Sequence, residues 1–170
     1  KCLKAMIGGY TPGDENRILL RLADWVPQVR DLARDWILAH FRDLPPEAIR
    51  ANERLLLHLI RKERLQDDPG LVEITRDLLD RTKAMTAERF FEFGPMFRRF
   101  LFSTSLDEDG HLRRWILDDP DPFVRLLLLR RFDPTMLDGD EIRMLESDGS
   151  VFVRRRFFLA RMDVGITPER

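Results

Sequence analysis

One short pattern occurs four times in this chain, and it limits the fold more than any other feature of the sequence. Pro27-Gln28-Val29-Arg30, Pro95-Met96-Phe97-Arg98 and Pro122-Phe123-Val124-Arg125 share a proline, an apolar residue and an arginine. Val151-Phe152-Val153-Arg154 lacks only the proline. Proline suits the first turn of a helix, where its missing N–H would be unpaired and its φ is already near-helical. The Val or Phe before each arginine then stands as an apolar knob facing a neighbouring helix. Six residues before each arginine is an acid: Asp24, Glu92, Asp119 and Asp148. Successive arginines are 68, 27 and 29 residues apart, and the longest gap is roughly twice a 34-residue unit. Asp67, six residues before Glu73, marks a degenerate copy in that gap, with the arginine lost.

The rest of the chain reads as helix, without an alternating strand pattern. Leu19, Leu20, Leu22 and Ala23 form a short apolar turn after the Thr11-Pro12-Gly13 breaker. Val29, Leu32, Ala33, Trp36, Ile37 and His40 recur on one helical face. Pro45-Pro46 and Asp67-Asp68-Pro69-Gly70 separate helices expected over 47–63 and 69–83. Further helices are expected over 86–93, 95–106, 108–117, 122–132, 135–146 and 151–162. The short joins make antiparallel neighbours, so the chain is a series of helical hairpins. A two-helix unit of about 30 residues cannot bury its own apolar face and must stack on its neighbours.

Taken together, the pattern resembles HEAT-like repeats, whose consensus joins an interhelical Asp to a Val-Arg early in the second helix. The resemblance covers about residues 14–162 and is weakest over 44–92. It implies an all-α, right-handed superhelical stack of four to six antiparallel hairpins, an α-solenoid, forming a single domain over residues 1–170. The second helices, starting near Pro27, Pro95, Pro122 and Val151, would line its concave surface. In that family the Asp and Arg of adjacent repeats form a hydrogen-bonded ladder. The implied ladder residues are Asp24 and Arg30, Glu92 and Arg98, Asp119 and Arg125, and Asp148 and Arg154. The closing Gly-Ile-Thr-Pro-Glu-Arg adds no polar capping helix, which fits a fragment or a chain that dimerises through its end.

Composition narrows the function. Of 29 basic residues 25 are arginine, but the net charge is −1, which argues against a dedicated nucleic-acid binder. Charge is nevertheless uneven: residues 149–162 hold four arginines and no acid, whereas 107–121 hold six acids against two arginines. If the arginines formed a groove for anions, Arg34, Arg99, Arg130 and Arg155 would converge on it. Residues 89–102 hold six of the twelve phenylalanines, giving either an aromatic core between hairpins or an exposed docking patch. A single cysteine, Cys2, excludes an internal disulfide framework and fits a reducing, cytoplasmic setting. No apolar run is long enough to span a membrane.

Groups suited to catalysis are sparse in the sequence. His40, His58 and His111 lack the spacing of a helical metal site, and His40 and His58 are expected in the core, so neither metal nor cofactor is expected. Gly8-Gly9 is a turn without the remainder of a phosphate loop, and Ser103-Thr104-Ser105 reads as helix-end capping. Some HEAT-like folds are alkylpurine DNA glycosylases, with a basic groove, tryptophans and a catalytic acid. Trp115 near Asp118 and Asp119, downstream of Arg113-Arg114, is the closest approach to that set. Trp25 and Trp36, 11 residues apart, read as core. The expectation is a non-enzymatic protein-interaction scaffold with a protein partner; the alternative is a nucleic-acid-binding HEAT-like protein.

Overall fold

The computed structural model describes residues 3–105 and 111–165, the side chain of His111 excepted. Cys2, the expected end of a helix at 106 and the expected start of another at 108 lie outside the described residues. Every regular element among them is helical. In chain order these are α1 (Leu3–Gly8), α2 (Glu15–Arg21), α3 (Pro27–His40), α4 (Pro46–Ala51), α5 (Glu53–Ile60) and α6 (Pro69–Lys83). They continue as α7 (Ala87–Phe91), α8 (Pro95–Thr104), α9 (His111–Leu117), α10 (Pro122–Arg131), α11 (Gly139–Glu146) and α12 (Val151–Asp163). Single 3₁₀ turns occupy Phe41–Asp43, Glu63–Leu65 and Pro134–Met136.

The chain divides into two compact units, Lys1–Phe97 and Arg98–Arg170, the boundary falling within α8. In the first unit α2 packs on α3 and α5 on α6, while α2 also meets α5 and α3 also meets α6. Ile18, Leu22, Ala33, Ile37, Leu56 and Ile74 are closed from solvent there. The second unit repeats this four-sided arrangement: α9 packs on α10 and α11 on α12, with α9 meeting α11 and α10 meeting α12. Its interior is built from Leu112, Ile116, Val124, Leu128, Leu145, Val153 and Phe157. Val124 and Val153, each one residue before an arginine of the repeated pattern, are fully closed from solvent.

Prolines open α3, α4, α6, α8 and α10, where a missing N–H costs nothing. Carboxylates cap the following turns: Asp68 accepts from the Gly70 N–H at 2.9 Å and Asp121 from the Phe123 N–H at 2.8 Å. Asp138 and Glu141 form a reciprocal capping box that starts α11.

Several expectations are corrected. The helix expected over 47–63 is two helices, α4 and α5, parted at Asn52, whose side-chain amide donates to the Ala48 carbonyl at 2.8 Å. The helix expected from 135 begins at Gly139, after a 3₁₀ turn. Trp25 is 81% exposed rather than core. Its spacing from Trp36 counts helical turns only if both lie on one helix, and α3 begins two residues after Trp25. His40 and His58 are exposed as well. His40 is the last residue of α3 and rests against the Trp36 ring at 5.5 Å, while His58 turns outward between buried Leu57 and Leu59. Among the six phenylalanines of 89–102, Phe90, Phe93, Phe97 and Phe102 are buried and Phe91 and Phe100 are half-buried.

Candidate functional site

The arginines and interhelical acids of the second unit make one repeated construction. At each turn the carboxylate accepts the backbone N–H two residues on: Asp121 N–H to Asp119 at 2.8 Å, and Ser150 N–H to Asp148 at 2.7 Å. The arginine six residues on donates Nη1 to the main-chain carbonyl of the same aspartate, Arg125 to Asp119 and Arg154 to Asp148. The carboxylate itself is held by the arginine of the preceding helix. Arg98 forks onto Asp119 through Nε at 2.6 Å and Nη2 at 2.8 Å. Arg125 forks onto Asp148 at the same two distances. These planar, two-pronged contacts suit guanidinium and carboxylate geometry.

Burial makes the first fork the more demanding one. The Asp119 side chain is 0% exposed and that of Arg98 is 6% exposed. For Asp148 and Asp121, burial alone would push the carboxyl pKa up. The facing guanidinium and a backbone N–H outweigh it and hold both below the usual aspartate range: Arg125 and Ser150 for Asp148, and Phe123 and Arg99 for Asp121. The Asp148 carboxylate in turn raises the Arg125 pKa.

A second arginine–aspartate pair lies beside the first. Arg99, next to Arg98, reaches the N-cap carboxylate of α10, Asp121, at 2.7 Å and lies 5.3 Å over the Phe123 ring. At the equivalent place after Arg125 stands Leu126, and the turn it faces carries Ser150 in place of an acid. Two arginines therefore meet two acids, and one arginine meets one.

The first unit uses related parts differently. Arg30 Nη1 donates to the Asp24 carbonyl at 3.3 Å, and Asp24 accepts the Val26 N–H at 3.1 Å. That backbone hydrogen bond and the Arg21 guanidinium hold the Asp24 pKa below its ordinary value. The downstream carboxylate is Asp68, not Asp67, and its partner is Arg34, at 2.8 Å through Nη2. Asp67 is exposed, and Glu73 is held by Arg42 and Arg76. Glu92 faces Arg50 at 3.3 Å and Arg89 at 3.5 Å. The amide two residues beyond it, Gly94 N–H, is taken by Glu53 at 2.8 Å. A Cβ on Gly94 would stand 2.6 Å from Glu53 Oε1, so this approach requires glycine.

Of the four arginines considered for an anion groove, Arg34 and Arg99 are thus engaged by Asp68 and Asp121. Arg130 and Arg155 are exposed and have no ion-pair partner among the described residues. A cleft of about 420 Å³ brings Arg30, Arg34 and Arg64 together, but with Asp67 and Asp68 in the same wall. Asp119, the acid of the glycosylase reading, is spent on Arg98 and the Asp121 amide.

Sequence reasoning passed over one surface. α12 buries Val153 and Phe157 yet exposes Val151, Phe152, Phe158, Leu159 and Met162, with Phe152 at 74%. Apolar residues on every side of the helix, interspersed with arginines rather than segregated from them, were the available signal.

The sequence matches no protein-family model, and comparisons with curated proteins and with solved structures give no match. Among the described residues no helix is long and apolar enough to cross a membrane.

Proposed function

We propose that the chain is a HEAT-like helical-repeat module acting as a non-enzymatic protein-interaction scaffold in a reducing, cytoplasmic setting. The observation that carries this reading is the engagement of its arginines by interhelical carboxylates, which takes them out of service as phosphate ligands. Arg34, Arg98, Arg99 and Arg125 all end on aspartates. The packing within each unit supports stacked hairpins, because first helices meet first helices and second helices meet second helices. Repeats stacked in this way present extended surfaces that bind other macromolecules. A second reading, nucleic-acid binding, draws on exposed Arg130, Arg155 and Arg156.

Fluorescence anisotropy with labelled duplex and single-stranded DNA at about 50 and 200 mM salt separates the two. The scaffold reading expects no binding at the lower salt. Salt-steep binding lost on Arg130→Ala with Arg155→Ala would overturn it in favour of a nucleic-acid function.

A further inference from the structure

α12 repeats the chemistry of the preceding second helices but, among the described residues, does not hold the carboxylate that they hold. Arg98, Arg125 and Arg154 are each the fourth residue of their helix, α8, α10 and α12. Arg125 gives Nη1 to the Asp119 carbonyl and keeps Nε and Nη2 for the next carboxylate, Asp148. Arg154 gives Nη1 to the Asp148 carbonyl in the same way, and its Nε and Nη2 meet no acceptor among the described residues. Arg155 follows it as Arg99 follows Arg98, exposed and without an ion-pair partner among the described residues. At 3.6 residues per turn, Arg155 lies with Val151, Phe152, Phe158, Leu159 and Met162 inside about 120° of arc. That outer face is apolar and cationic, and residues 149–162 contain no acid.

We propose that the outer face of α12 docks a helical hairpin whose interhelical turn carries Asp-X-Asp. The hairpin's apolar face covers Phe152, Phe158 and Leu159, and its two carboxylates take the forks of Arg154 and Arg155. This rests on the protein-interaction reading and specifies the partner's chemistry. The demand for two acids comes from the same unit: Arg98-Arg99 meets Asp119 and Asp121, whereas Arg125-Leu126 meets Asp148 and an uncharged Ser150 turn. A second copy docking α12 against α12 would set Arg154, Arg155 and Arg156 against themselves. A phosphate backbone would leave the exposed phenylalanines and leucine uncovered.

The test uses the full chain and a fluorescent peptide of residues 111–132, which carries the Asp119-Pro120-Asp121 turn. Anisotropy should report binding that weakens at least tenfold when both aspartates of the turn, Asp119 and Asp121, become asparagine. Arg154→Gln with Arg155→Gln in the chain should weaken it by a similar factor. A second measurement removes dependence on the free peptide's own folding: the same 22 residues are joined after Ile166. The Asp119 equivalent then falls 21 residues after Arg154, the separation of Asp119 from Arg98. Hydrogen exchange in α12 should slow at least tenfold, and less when the added aspartates are asparagine.

If neither peptide nor extension protects α12, or the asparagine forms act equally, the proposal is overturned while the scaffold reading stands. Duplex DNA binding through Arg154 and Arg155 overturns both. Concentration-dependent self-association abolished by Phe152→Asp makes a second copy the occupant and overturns the hairpin proposal alone.

Discussion

Replacing Asp119 by alanine tests the buried fork directly. The substitution removes a carboxylate with no solvent exposure and leaves the Arg98 guanidinium, itself only 6% exposed, without its two-pronged acceptor. Stranding one member of a buried ion pair costs about 3–5 kcal/mol. The Asp121 N–H, bonded to Asp119 at 2.8 Å, also loses its acceptor, which adds about 1 kcal/mol. At about 2–4 °C per kcal/mol for a chain of this size, the melting temperature should fall by roughly 8–24 °C. Asp148→Ala should cost less, because the Arg125 side chain is 13% exposed and can draw on water. Asp140→Ala, which breaks the surface pair with Arg143, should stay below about 1 kcal/mol. Removing both charges together, Arg98→Met with Asp119→Leu, should recover most of the loss, since an apolar pair carries no desolvation penalty. Calorimetry and urea unfolding of the four variants decide the matter. If Asp119→Ala costs no more than Asp140→Ala, the fork is not the desolvated pair described above.

Tyr10 is the only tyrosine, so its ionisation can be read without interference. Partial burial and its 2.6 Å hydrogen bond to Glu15 push its pKa up to about 12. Ultraviolet titration, over the range where circular dichroism shows the fold intact, should give a midpoint well above 10 that falls on Glu15→Gln; an ordinary midpoint would refute this. Gly94→Ala should cost about 1–2 kcal/mol by displacing Glu53 from the Gly94 N–H, and almost nothing further in a Glu53→Ala background, a coupling that a double-mutant cycle measures. The folded-state pKa of Asp148 lies below its unfolded value of about 4, so its fork stabilises the fold above that pH and fades as the pH drops through the folded value. The melting-temperature gap between the wild type and Asp148→Asn should therefore close in acid; a gap independent of pH would argue against the pairing.

Helix starts were readable because proline and capping aspartates act locally. Pro27, Pro69, Pro95 and Pro122 open helices as their chemistry dictates. Asp138-Gly139-Asp140-Glu141 also held a local signal, the capping box, that would have placed the start of α11 correctly. The break at Asn52 was not legible, because Ile49 before it and Leu56, Leu57, Leu59 and Ile60 after it keep a helical spacing across it. For the arginine forks, the sequence pattern found the residues but not the partners. An arginine six residues from an aspartate takes that residue's carbonyl, while the carboxylate goes to the helix before, and only packing reveals the exchange. Asp68 on Arg34 and Glu53 on Gly94 N–H are separated by 34 and 41 residues, with no motif to join them. The exposed face of α12 escaped notice because apolar residues are ordinarily assigned to the interior.

The two forks of the second unit also bear on how the chain assembles as it is made. Asp119 follows Arg98 by 21 residues, and Asp148 follows Arg125 by 23. The entropy of closing these two segments differs by less than about 0.1 kcal/mol. At about 5–20 residues per second of synthesis, each arginine waits roughly one to five seconds for its acid to be polymerised. During that wait it remains hydrated, and closure involves only the segment just added. Each new turn can clip onto the helix completed before it, so assembly from the N-terminal side needs no long-range search.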